Sequence, residues 1–270
     1  MTITHTHMRP KTSIRDALQE KRNVMSAVVL RDIRSRFFNH GLGFLLVAIW
    51  PLAHMLILLA IYQLMGRQAP YGNSLRVFFA TGLIPTLAFV YVSRWMSLSL
   101  ILNRPMLSFP VVTVLDIMAA RAFLEITAAV LTLIFLFAIL LFLGDHPYPV
   151  DPFQATYAYL ACLLLAIGFG SVAGVIVMFM PVFATVYALT MILFYLLSGT
   201  LFVPAALPEP IAYALSWNPV FQTVEWMRSA YYLGYSEKYL DKTYTLAFGM
   251  SSLCLGLLLE RIFRRRMLEA

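Results

Sequence analysis

Arg121 and Glu125 stand four residues apart in "DIMAARAFLE", and Glu225 and Arg228 stand three apart in "WNPVFQTVEWMRSAYYLGY". Both spacings let opposite charges meet on one helix face. His54, in "WPLAHMLILLAIY", is the deepest ionisable residue in an apolar run. An imidazole there must face protein or water, either as a proton relay or, the favoured reading, as a satisfied packing side chain. An ion-coupled pathway needs a clearer buried relay than this one residue. Asp145, His146 and Asp151 in "GDHPYPVDPF" suggest a metal, but their spacing matches no strong ligand pattern and the prolines read as a rigid loop. Cys162 and Cys254 both fall in apolar runs and read as packing residues. No phosphate-cradling G-x-x-x-x-G-K-[ST] run, Ser/His/Asp set or H-E-x-x-H motif occurs. The expectation is therefore no catalytic residue, no metal and no cofactor in this chain.

The elements that must carry these residues are membrane helices. The chain has 270 residues, 61% hydrophobic and only 12% charged, too little charge to cover a soluble surface. A crossing takes about 20 apolar residues. Six runs qualify, at 44–65, 77–98, 119–143, 155–178, 181–202 and 244–260, with Pro181 alone separating the fourth and fifth. The fold class is thus all-α integral membrane, a six-span domain over 44–262. The first run is too long for a signal sequence and is expected to stay as an anchor. Of the 20 Lys and Arg, eight precede the first run, four follow the last, and Arg94, Arg104 and Arg121 flank the second connection. The positive-inside rule then puts both termini in the cytoplasm, and the net charge of +7 reflects topology and not nucleic acid.

Between the spans, the sequence predicts further structure. Residues 1–23 and 263–270 read as cytoplasmic tails. Residues 24–43 read as an interfacial helix with Val29, Ile33 and Phe37 on its apolar face and Arg31, Arg34 and Arg36 elsewhere. Pro51 and the "TGLIPTLAF" segment predict bent spans. Segment 103–118, from Asn103 through Arg104, Pro105, Met106, Leu107, Ser108 and Phe109 to Asp116, reads as a cytoplasmic break followed by a short helix after Pro110, where a soluble motor could push. Gly170 and Gly174 predict close helix packing. Segment 203–243 reads as an outer segment whose amphipathic helix dips into the outer half of the membrane or lies along it. In it Asn218 caps a helix that begins at Pro219, and Val220, Phe221, Val224 and Met227 make one face. Trp217, Trp226, Tyr231 and Tyr232 suit an interface belt or a gate, and their rings also offer flat faces to sugars.

Taken together, "LRDIRSRF", "WPLAHMLILLAIY", "TGLIPTLAF", "DIMAARAFLE" and "WNPVFQTVEWMRSAYYLGY" resemble, in order and nearly in spacing, the inner-membrane permease subunit of ATP-binding-cassette exporters for capsular polysaccharide, of the type-two permease class. The resemblance covers most of residues 30–260. It implies a homodimer of six-span subunits served by two ATP-binding subunits, which carry the ATP and Mg. It also implies a coupling helix between spans two and three, an outer gate, and periplasmic and outer-membrane partners that take on a lipid-linked acidic glycan. The segment "VMFMPVFATV" departs from relatives in lacking charge, which puts a second motor contact there in doubt. The same architecture exporting O-antigen, teichoic acid or a drug is the nearest alternative. A membrane enzyme acting on lipid-linked glycans is the alternative of a different class. A neighbouring gene for a separate ATPase distinguishes exporter from enzyme.

Overall fold

A computed structural model of the chain describes residues 14–36 and 43–269. The described residues form ten α-helices and no strand: α1 (Ile14–Arg36), α2 (Gly43–Leu64), α3 (Leu75–Ser97), α4 (Ser99–Leu102), α5 (Val114–Phe142), α6 (Pro152–Phe179), α7 (Phe183–Leu196), α8 (Glu209–Ser216), α9 (Pro219–Tyr231) and α10 (Lys242–Glu269). Short 3-10 turns at Arg104–Ser108 and Pro204–Ala206 join α4 to α5 and α7 to α8. Residues 1–13 and 37–42, and with them most of the expected N-terminal tail and the apolar position Phe37, lie outside the described residues.

The core is the pair α3 and α6, and small residues bring them together. A Cβ at Gly170 would fall 2.3 Å from Met96 Cβ, and one at Gly174 would fall 3.1 Å from the Met96 carbonyl. The Cys162 thiol donates to the Pro85 carbonyl at 2.9 Å across the same seam. On its other side α6 meets α10, where Gly249 abuts Leu164 and Gly256 abuts Ser171, so these two helices run parallel. Pro51 and Pro85 both lie inside continuous helices.

Both ends of the bundle are tied by short polar contacts. At one end Asp145 takes a hydrogen bond from the Ser74 hydroxyl (2.7 Å) and an ion pair from Arg76 (2.7 Å). Asp151 caps α6 through the Phe153 and Gln154 amides, with Pro152 at the first helical position. Both acids of the loop once read as a metal possibility are thus engaged in shaping it. At the other end Thr113 and Asp116 form a reciprocal capping box that starts α5.

Several boundaries differ from the expectation. Among the described residues, five helices are long and apolar enough to cross a membrane: the α2 segment, α3, α5, α6 and α10. The predicted fifth span contains α7, whose 14 residues reach about 21 Å at 1.5 Å each. It stops because the chain unwinds after Leu196 and passes through Gly199 at a φ of +77°. Helix α1 starts at Ile14, within the stretch read as tail, where Lys21 pairs with Asp116 of α5 at 2.7 Å. Helix α10 continues through the stretch read as the C-terminal tail, because Glu260 pairs with Arg264 (2.8 Å) and Met267 is buried against Val28 and Met118. The short helix expected after Pro110 is absent. The 3-10 turn precedes that proline, and residues 114–118 already belong to α5.

Candidate functional site

Two clusters gather the polar side chains singled out in the sequence. The first lies where α1 crosses the start of α5. Arg121 is fully buried and meets Glu125 at 2.8 Å, off the ideal hydrogen-bond direction, and Asp32 at 3.1 Å. Its guanidinium also lies 5.0 Å from the centre of the Trp95 ring. The predicted pair is therefore one side of a triad. Asp32 escaped the sequence reading because the flanking arginines in "VVLRDIRSRF" drew attention to charge outside the membrane. The signal was its position four residues after Val28, on the face that docks.

That face is centred on the buried Val28 and Asp32; Val29, expected on the apolar face, packs partly buried beside them, as does Val24, and Ile33 is half-buried. The reason is polar: Lys21 Nζ donates to both Asp116 carboxylate oxygens (2.7 and 3.0 Å), and Arg31 Nη1 donates to Asn103 Oδ1 at 3.0 Å. Three links, Lys21–Asp116, Arg31–Asn103 and Asp32–Arg121, rotate α1 onto α5 and onto the connection below α3. Arg34 is exposed, and the Arg36 side chain lies outside the described residues.

Segment 103–118 divides accordingly. Asn103 is buried and holds both Arg31 and the Ser99 carbonyl. Asp116 is buried in the α5 cap, which removes it from any outward-facing contact set. Arg104, Pro105, Ser108 and Phe109 are exposed, and Met106 and Leu107 are half-buried. With Leu102, Val111 and Leu115 they leave an apolar tip at this end of the bundle. Between α2, α3 and α5 lies an apolar cavity of about 590 Å³ lined by Trp50, Tyr91, Trp95 and Thr132, with Glu125 at its edge. His54 is near but not among the lining residues. Its Nδ1 lies 3.1 Å from the Tyr91 hydroxyl, the satisfied packing contact favoured from the sequence.

The second cluster is built on α9. Asn218 caps it as expected, its Oδ1 accepting from the Val220 amide at 2.9 Å, while its Nδ2 donates to the Leu197 carbonyl at 3.0 Å. One side chain thus starts α9 and closes α7. From there α9 rises to Ala230, whose carbonyl accepts from the Asp151 amide at 2.9 Å. The helix does not lie along a surface. Every residue from Pro219 to Arg228 is buried, including Trp226, whose Nε1 donates to Gln154 Oε1 at 2.8 Å. The interface-belt role read for Trp226 is corrected by that burial, whereas Glu225 and Arg228 do meet as their spacing predicts, inside the bundle.

Arg228 instead completes α7. Its Nη1 donates to the carbonyls of Gly199 (2.8 Å) and Phe202 (2.7 Å), and its Nη2 donates to that of Thr200 (2.9 Å). Those carbonyls belong to the unwound stretch beyond the helix end, where only that of Gly199 has a further backbone partner, the Phe202 amide at 3.3 Å. A guanidinium can serve several of them at once because it carries five N–H donors in one plane. It lies 4.2 Å from the centre of the Phe78 ring, and Glu225 follows at 3.7 Å. Glu225 accepts the Tyr235 hydroxyl at 2.9 Å, and Tyr232 and Tyr235 edge the Tyr71 ring. A Cβ at Gly82 would fall 3.0 Å from Thr200 Cα, so glycine lets the unwound stretch rest on α3. Tyr231 is half-buried and Trp217 is exposed. Nearby, Glu209 at the start of α8 and Lys238 on the loop after α9 pair at 2.7 Å, which holds the carboxyl below and the ammonium above their usual ranges by hydrogen bond and charge.

No protein-family profile matches the chain. Individual relatives match over almost its whole length. The polysialic acid transport protein KpsM of Escherichia coli is 28% identical over 256 residues, 95% of this chain and 99% of that protein. The capsule polysaccharide export inner-membrane protein CtrC of Neisseria meningitidis serogroup A is 25% identical over 92% of this chain and 93% of its own length. The capsule polysaccharide export inner-membrane protein BexB of Haemophilus influenzae is 22% identical over 94% and 96%. The chain is therefore similar, nearly end to end, to a polysialic acid transport protein and to inner-membrane proteins of capsule polysaccharide export.

Proposed function

We propose that this chain is the transmembrane permease subunit of an ATP-driven exporter that moves capsular polysaccharide across the inner membrane. The observation that carries the reading is the near full-length match to capsule export proteins, 95% of this chain against 99% of one relative. The all-helical fold with five long apolar helices among the described residues is in keeping with a membrane conduit. In this reading ATP and Mg bind a separate subunit, and two copies of the chain pair around the path with two such motors beneath. Periplasmic and outer-membrane proteins receive the lipid-linked glycan.

The end that holds α1, the 3-10 turn and the tail of α10 is the cytoplasmic one, since the arginines concentrate there. Helix α7 with its unwound end then makes the sixth crossing and returns both termini to the cytoplasm. The exposed tip around Phe109 is the motor contact, and α1 moves with it through Arg31 and Asn103. The α8–α9 region is the outer gate, with Arg228 joining it to the top of α7. The test is genetic and biochemical. Deleting the gene in its native host should leave capsule glycan inside the cell, plasmid-borne protein should restore it to the surface, and the tagged protein should co-purify with an ATP-binding subunit. Normal surface capsule in the deletion strain would overturn the reading.

A further inference from the structure

A second, shallower pocket of about 550 Å³ opens beside the start of α9 and is separate from the Arg228 cluster. Its rings are Tyr213 on α8, Trp217 at the α8–α9 junction and Tyr244 in the first turn of α10. Trp217 stands nearly perpendicular to both neighbours, with centroids 6.3 Å from Tyr213 and 6.2 Å from Tyr244. The walls are held firmly. Buried Gln222 donates to the Ser216 and Tyr239 carbonyls (2.6 and 2.9 Å) and accepts from the Asp241 amide (2.7 Å). The Tyr244 hydroxyl donates to the Trp217 carbonyl at 2.7 Å. Yet the Trp217 and Tyr213 rings are 63% and 59% exposed.

A headgroup-belt anchor would explain exposed aromatics facing lipid. These face another setting, because Glu237, Lys238, Asp241 and Lys242 line the same pocket. Depth sharpens the contrast. The parallel register of α10 on α6, with Gly249 at Leu164 and Gly256 at Ser171, starts α10 about 8 Å further into the bundle than Pro152 at 1.5 Å per residue. Charged side chains set back from that end of the bundle are expected to sit in water or against protein.

We infer that this pocket is a saccharide subsite in a wet vestibule at the outer end, where a sugar ring stacks on Trp217 and is flanked by Tyr213 and Tyr244. The nature of the ligand rests on the export reading; the pocket's chemistry stands beside it. Aromatic faces meet the C–H face of a pyranose, and the surrounding carbonyl, ammonium and carboxylate groups meet its hydroxyls. The two lysines are balanced by Glu237 and Asp241, and Lys238 also pairs with Glu209. The subsite therefore grips the ring and not a particular charge, which suits a chain that must slide.

The experiment is saturation-transfer NMR on the purified full-length protein in detergent with two probes, maltoheptaose and an oligosialic acid. Transfer to ring protons of both probes is expected, with loss of transfer in Trp217→Leu and Tyr213→Leu, partial retention in Trp217→Tyr, and no change in Tyr148→Leu, an exposed ring on the α5–α6 loop. Equal transfer in wild type and Trp217→Leu would overturn the inference, as would no transfer to either probe at millimolar concentration. Binding of the acidic probe alone, abolished by Lys238→Gln/Lys242→Gln, would also overturn it in favour of a simple ion site. Trp217→Tyr keeps the question answerable should the leucine variants elute as aggregates. Since the readout is binding and not export, a negative result removes the subsite and leaves the permease reading to the surface-capsule assay.

Discussion

At the scale of single residues, the two buried arginines do different work. Arg228 holds three main-chain carbonyls; Arg228→Leu would leave those of Thr200 and Phe202 unsatisfied, at a cost of about 1–3 kcal/mol each, while that of Gly199 would keep only the Phe202 amide at 3.3 Å. Arg228→Lys offers one point charge where a planar fork is used, so it should recover only part of the loss. The expected result is a marked fall in the detergent melting temperature for the leucine variant and an intermediate one for lysine; unchanged melting in both would rule out the capping role. Arg121 has two acidic partners, which changes what a charge test should give. Glu125→Gln and Asp32→Asn should each be tolerated, because one carboxylate still faces the guanidinium. The double variant strands a buried cation, the situation that typically costs about 3–5 kcal/mol. A double-mutant cycle on stability should therefore be strongly non-additive, and simple additivity would argue against a shared triad. A straight Arg121/Glu125 swap should rescue poorly, since the new acid at 121 would face Asp32.

Among the elements, α9 and α7 depend on one another. Lipid offers little hydrophobic drive for helices to associate, so close packing and polar contacts must fix a short helix inside the bundle. Asn218 contributes at both helix ends, which separates its two atoms as an experiment. Asn218→Asp keeps the Oδ cap on Val220 but removes the donor to Leu197, whereas Asn218→Ala removes both. Loss of the cap alone costs about 0.5–2 kcal/mol. Export at matched membrane levels should fall in the order wild type, Asp, Ala, and equal export by all three would release this junction from any gating role. These elements also mark how far the sequence was legible. The Asn-Pro start of α9 and the Gly170/Gly174 seam could be read because each rests on local backbone chemistry. The rotation of α1 could not be read, because it is set by Asp116 and Arg121, more than 80 residues away in sequence. The early stop of α7 was hidden for a related reason: "LSGTLF" is as apolar as a helix, and what holds it unwound is a guanidinium from α9.

For the whole molecule, the open question is whether α7 counts as a crossing. Its hydropathy says yes and its 14 residues say no. The contacts along α3 decide the geometry. Arg94, near one end of α3, donates to the Ala184 carbonyl at the start of α7, whereas Thr86 and Gly82, nearer the other, meet Thr200 beyond its end. Helix α7 thus covers about half of α3, and α9 and its loops carry the chain the rest of the way to Asp151. A broken helix of this kind is tolerated at membrane depth only where protein or water satisfies the free backbone, which is what Arg228 and Asn218 do. The consequence is a sidedness that five uninterrupted spans would not give. In a Cys254→Ser background, a cysteine at Ser108 should react with a membrane-impermeant maleimide only in inside-out vesicles, and one at Ser236 only from the periplasmic side of spheroplasts. Cys162 is buried and should stay silent. Labelling of both positions from the same face would mean that α7 and α9 together fail to carry the chain across. With that result the even number of crossings, the placement of the gate and the cytoplasmic assignment of the C-terminal arginines would all have to be given up together.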